Sequence, residues 1–140
     1  MEVICYDLHM KSSMSTLYRD SLEGLARSTP DLDLLLLYGS RARGDSRAQS
    51  DWDFGYVGGP QLDAAGLLAG IVEVIRDDRV DLVNLATAGA LLRYRSARDG
   101  VVLYESRPRL GEQFRLDAAD FWCDAQPVLQ RGYQAALERI

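Results

Sequence analysis

The chain has 140 residues, 47% of them hydrophobic and 26% charged, which suits one soluble domain large enough to bury a core. Its formal net charge of −5 argues against a general nucleic-acid binder, which needs a basic surplus. One histidine, His9, and two distant cysteines, Cys5 and Cys123, argue against a zinc site, a Ser-His or Cys-His catalytic pair and a disulfide framework.

Lys11 is the sole lysine, so the positive charge is nearly all arginine, the better side chain for forked phosphate contacts; codon bias explains the same fact. No apolar run approaches the ~20 residues of a membrane span. The first residues lack the pattern of a secretory signal, so a cytoplasmic location is expected.

Residues 1–13 have no clear periodicity and read as an N-terminal extension, poorly ordered or preceding a later start at Met10 or Met14. From Ser15 to Arg27, Tyr18, Leu22 and Leu25 mark the apolar stripe of a helix. Pro30 ends it, and Leu34–Tyr38 follows as an unbroken apolar run. Periodicity alone would allow a buried helix there. Gly39 and the later strand signals decide for a strand covered on both faces.

Arg41–Asp45 can form a brief helical turn, and a polar loop leads into a second strand, Asp51–Val57, closed by Gly58, Gly59 and Pro60. Leu68, Ile71, Val72 and Ile75 predict a helix between Gln61 and Arg76. Val80–Leu85 is a third strand, apolar on both sides except at Asp81 and Asn84. Thr87 is placed to cap a helix running to about Ala97, with Ala88, Leu91 and Leu92 inward and Gly100 as its stop. Val101–Glu105 is a fourth strand.

Pro108–Ile140 is helical in character, with Phe114, Ala118, Phe121, Ala125, Leu129, Tyr133, Ala136 and Ile140 recurring at threes and fours and Trp122 and Leu137 widening the stripe. Pro127 inside that stripe predicts a kink or two helices. Core packing is its ordinary use, and docking of a partner is the other.

The chemistry concentrates between Leu34 and Val57. Asp51 and Asp53 lie two apart, so on a strand both carboxylates project from one face, where a hard divalent cation would relieve their repulsion. Gly39 lets the main chain approach a phosphate, Ser40 adds a hydroxyl, and a helix starting there would aim free amides at the same place. Arg41 and Arg43 can neutralise phosphate oxygens, although two apart on a helix they diverge.

A two-ion site needs metals roughly 3.5–4 Å apart and usually a third carboxylate. Asp81, the one acid in its strand, is the candidate. Each feature has a plain structural use as well: a turn, a solvated strand edge, a salt bridge from Asp81 to Arg76 or Arg79. Their combination in one strand-turn-strand unit favours a phosphate-and-metal site. The P-loop and the dinucleotide glycine fingerprint are both missing.

Gly39-Ser40, ten residues, then Asp51-Trp52-Asp53 resembles the signature of the DNA polymerase β-like nucleotidyltransferases. The Arg43-Gly44-Asp45 insert, Ser50 and the later VDLVNL strand resemble their minimal nucleotidyltransferase (MNT) branch, whose MntA-type members are antitoxins encoded beside a HEPN ribonuclease toxin. The resemblance implies a single α+β, two-layer nucleotidyltransferase domain over residues 14–140, with a short mixed sheet of about four strands flanked by helices and a helical C-terminal segment at 108–140.

It also implies roles. Gly39 and Ser40, with Arg41 and Arg43, hold the nucleotide; Asp51, Asp53 and Asp81 bind one or two Mg2+ ions and are catalytic, Asp81 also being able to take the proton of the attacking hydroxyl. The expected reaction is transfer of AMP from ATP to a tyrosine of a HEPN toxin, neutralising it. The alternatives are a small-molecule (aminoglycoside-type) nucleotidyltransferase and a non-catalytic module that blocks a toxin by contact. Gly55 departs from the resemblance, since such strands usually carry a bulky apolar residue there, and it puts the strand's regularity in question.

Overall fold

A computed structural model describes residues 16–139; the expected extension at 1–13, with Cys5 and His9, lies outside them. The chain runs α1 (Thr16–Arg27), β1 (Leu32–Tyr38), α2 (Gly39–Arg43), β2 (Trp52–Gly58), α3 (Ala64–Ile75), β3 (Val80–Asn84), α4 (Ala90–Asp99), β4 (Val101–Glu105) and α5 (Leu110–Glu138). The four strands form one sheet in the order β3-β2-β1-β4. β1 pairs antiparallel with β2 and β4, and β2 pairs parallel with β3, so the expected mixed sheet with a helical C terminus is what forms.

The unbroken leucines of β1 are explained by its central place. Alternate residues point to opposite faces. Leu35 and Leu37 join a core with Leu22, Ala26, Phe54, Leu67, Ile71 and Ile75, beneath α1 and α3. Leu34 and Leu36 join a second core with Leu85, Ala97, Phe114 and Ala118, beneath α4 and α5.

Several local expectations need correction. On α3 the expected Ile71 and Ile75 are buried, but Leu67 joins them there in place of Leu68 and Val72, which are only partly buried. Thr87 does not cap α4: its hydroxyl donates to the Asn84 carbonyl (3.4 Å), the helix starts after Gly89, and Leu91 is exposed. β3 lies at the edge of the sheet, and Asp81 on it is exposed.

Pro127 lies within α5, which continues as one helix of 29 residues instead of dividing. Only the first half of α5 packs on the sheet. Phe121, Val128, Leu129, Tyr133 and Leu137 are exposed, so most of the outer stripe is not core. At Gly55 the strand stays regular, paired with Leu36 on one side and Val83 on the other. A Cβ there would lie 2.5 Å from Leu85 Cδ1, so the glycine makes room for a core leucine. No helix among the described residues is long and apolar enough to cross a membrane.

Candidate active site

The sheet register brings the acids together. Tyr38 of β1 pairs with Asp53 of β2, and Asp53 pairs with Asp81 of β3. Strand neighbours lie about 4.8 Å apart, and alternation places all three side chains on the face beneath α4 and α5, because Trp52 and Phe54 take the other. Asp51 sits one residue ahead of β2, exposed, and its charge reaches Asp53.

The electrostatics of this row are unfavourable without a cation. Burial, then Asp81, then Asp51 push the Asp53 carboxyl above its ordinary value, and Arg43 pulls it back. Burial, then Asp53 and Asp81, push the Tyr38 hydroxyl up to about 12, so it stays neutral at physiological pH. Tyr38 was not anticipated as part of the site; its membership depends on the β1–β2 register, which no local motif reveals.

Gly39 follows Tyr38 directly and has φ +72°, a left-handed conformation that glycine tolerates and β-carbon-bearing residues resist. A Cβ there would collide with the Asp53 carboxylate, so the turn and the acid are packed against each other. Ser40 is the second residue of the short helix α2, and its carbonyl accepts from the Gly44 and Asp45 amides at 3.0 and 3.2 Å. The Gly39–Ser40 turn and the acid row are thus packed as one structure.

The two arginines diverge as their spacing requires. Arg43 faces the site and forms ion pairs with Asp45 (3.3 Å) and with Asp99 at the end of α4 (3.5 Å). Arg41 turns away. Its guanidinium lies 4.4 Å from the centre of the Trp52 ring and donates to the carbonyls of Ser50 (2.9 Å) and Ala48 (3.3 Å). One nitrogen of Arg41, Nη2, makes both bonds to the loop before β2, and its buried Nε has no hydrogen-bond partner among the described residues. Arg79, whose only expected role was a salt bridge to Asp81, instead pairs with Asp77 and reaches the same loop.

No group of three His, Cys, Asp or Glu side chains among the described residues makes a metal-holding cage by itself. Asp51, Asp53 and Asp81 are therefore not brought into one such group; Mg2+ is usually held by one or two carboxylates, with substrate phosphates and water completing the shell. The half-buried Asp53, flanked by two like charges, supplies the unrelieved negative charge that such an ion would match. A cavity of about 530 Å3 lies elsewhere, between α4, β4 and α5, lined by Tyr94, Arg98, Asp99 and Arg115. None of the three acids lines it.

Residues 20–109 match the family model described as polymerase beta, nucleotidyltransferase. The chain belongs to the polymerase beta nucleotidyltransferase family. Among curated members it is similar to a protein adenylyltransferase MntA of Aphanizomenon flos-aquae (strain 2012/KM1/D3), 38% identical over 94 residues. That match covers 58% of this chain and 62% of the relative, less than two thirds of the relative's length.

Solved structures in the family share the fold. A toxin-antitoxin complex with AMP-PNP superposes with a TM-score of 0.72 at 24% identity, covering 85% of this chain and 98% of that one. A tri-AMPylated Shewanella oneidensis HEPN toxin in complex with its MNT antitoxin gives 0.69 at 23%, covering 89% and 99%. At these identities the likeness establishes the nucleotidyltransferase fold.

Proposed function

We propose that this chain is an antitoxin that transfers AMP from ATP to a tyrosine hydroxyl of a HEPN-type ribonuclease partner and so silences it. The observation that carries the reading is the row Asp53–Asp81 with Asp51 at its end, packed against the Gly39–Ser40 turn. It is supported by the 38% identity to a protein named as an adenylyltransferase and by the fold shared with an antitoxin found on an AMPylated toxin.

In this reading Gly39 and Ser40 receive the β- and γ-phosphates at the amides opening α2. Arg43 adds positive potential on the same side. Asp51 and Asp53 would hold Mg2+, with Asp81 completing the acid set; the ion, when bound, spreads the charge that builds on the pyrophosphate. The acceptor tyrosine oxygen forms a bond to the α-phosphorus, the bond from the α-phosphorus to the bridging oxygen of pyrophosphate breaks, and Asp81 takes the phenolic proton. Asp81 suits that task because it lies at the exposed edge of the sheet, where an acceptor on another chain can reach it.

Catalysis separates this reading from blocking by contact alone. With ATP and Mg2+, the chain should silence the ribonuclease of a tenfold excess of the neighbouring-gene partner, whereas a contact inhibitor silences only an equal amount. Neutralisation that needs no ATP and stops at one-to-one would overturn it.

A further inference from the structure

The segment from Gly44 to Asp51 has no regular structure, yet the carbonyls of residues 47–50 are all taken, that of Arg47 by the Ser50 amide at 3.0 Å. Arg41 donates to the carbonyls of Ala48 (3.3 Å) and Ser50 (2.9 Å) from α2. Arg79 donates to Gln49 (2.9 Å) and Ala48 (3.3 Å) from the turn before β3. Both guanidinium groups are themselves held. Arg41 stacks on Trp52, and Arg79 is fixed by Asp77 through its Nε (3.2 Å), Nη2 (3.0 Å) and backbone amide (2.9 Å). The Arg79 carbonyl in turn accepts the Trp52 amide at 2.8 Å.

These bonds converge on one residue. The Ser50 carbonyl belongs to the peptide unit before Asp51, and the Trp52 amide belongs to the unit after it. Arg41 holds the first and the Arg79 main chain holds the second, so both planes that set the Asp51 backbone are anchored. Arg79 stands two residues before Asp81, and Arg41 two after Gly39. The same pair therefore ties together the phosphate turn, the first acid and the strand of the third.

We propose that Arg79, acting with Arg41, is a positioning residue: through the Ala48 and Gln49 carbonyls its side chain orders the 46–50 loop before nucleotide arrives, and so steadies the chain that leads into Asp51. The proposal rests on the nucleotidyltransferase reading of the site. Physically, a loop that is already ordered does not charge its ordering entropy to ligand binding. Arg79 suits the test better than Arg41, which lies beside the phosphate turn and could affect binding directly.

The test uses the full chain and two readouts. The first is binding of Mg2+·AMP-PNP by calorimetry, comparing wild type, Arg79→Gln and Arg79→Lys. The second is amide hydrogen exchange over residues 46–52 in nucleotide-free protein, which reads the loop whether or not the nucleotide reading holds. Arg79→Gln should weaken binding about tenfold, which corresponds to about 1.4 kcal/mol, and should speed exchange in the loop while leaving α1 and α3 unchanged. Arg79→Lys, with a charge but no fork, should fall between.

Unchanged exchange in Arg79→Gln overturns the proposal, as does unchanged binding where wild type binds. If wild type binds no Mg2+·AMP-PNP, the nucleotide reading of the site falls, the role assigned to Arg79 toward Asp51 falls with it, and the exchange readout still decides whether Arg79 orders the loop. If Arg79→Gln does not fold, equal exchange in Arg79→Lys and wild type counts against the proposal.

Discussion

The two faces of the sheet are built for different ends. The face beneath α1 and α3 has an apolar centre, with Leu35, Leu37, Phe54, Ile71 and Leu22 at 2% exposure or less. The face beneath α4 and α5 is apolar at one end, where Leu34, Leu85 and Phe114 meet, and carries Tyr38, Asp53 and Asp81 at the other. One face stabilises the fold. The other gives up stability locally to hold like charges together, and the difference predicts that substitutions on the two faces will have opposite signatures.

The largest effect is expected at Asp53. Asp53→Asn should lower AMP transfer about a thousandfold, equivalent to about 4 kcal/mol of barrier, while raising the melting temperature of the metal-free protein. Scanning calorimetry with and without Mg2+ checks the second half: the ion should stabilise wild type and leave the variant unmoved. On the opposite face, Ile71→Ala should cost about 3 kcal/mol of unfolding free energy, measured by urea denaturation, with transfer per folded molecule unchanged.

Gly39→Ala tests where fold and site are inseparable. The φ of +72° and the collision with Asp53 should together cost about 2 kcal/mol, and nucleotide binding should fall with stability. Gly55→Val, two residues from Asp53 on the same face, should cost about 1–2 kcal/mol through overpacking against Leu85, and its loss should appear in denaturation more than in nucleotide affinity.

The smallest effect is a pH dependence. The Asp53 carboxyl is raised in the folded state, so folding favours its protonated form. Its contribution is fully present below the ordinary value of 3.8 and is lost as pH rises through the raised folded value. Metal-free wild type should therefore lose this component on the way from acid towards neutral pH, and Asp53→Asn should not. Melting curves of both proteins across that range read the difference directly.

Much of the site was legible because its chemistry is local in sequence. Gly39, Ser40, Asp51 and Asp53 fall within one strand-turn-strand unit, and Asp81 stood out as the one acid in its strand. The strand order, by contrast, is a long-range property, and with it came the exposure of Asp81 at an edge and the presence of Tyr38 beside Asp53. The contact of Arg41 with the loop before β2, where its Nη2 donates to the Ala48 and Ser50 carbonyls, depends on the fold of residues 44–50, which no local motif reveals.

The C-terminal stripe was legible as a helix but not in its depth of burial. Phe114 and Ala118 are core, while Phe121, Leu129 and Tyr133, with the same spacing, extend beyond the sheet that would have covered them. Periodicity reports which side of a helix is apolar and is silent on where the rest of the domain ends.

The most direct test of the central claim is the intact mass of the neighbouring-gene product after incubation with this chain, ATP and Mg2+. Wild type should add whole AMP units, peptide mapping should place them on tyrosine, and Asp53→Asn should add none. An unchanged mass with folded, nucleotide-binding wild type, or an equal gain with Asp53→Asn, would contradict it.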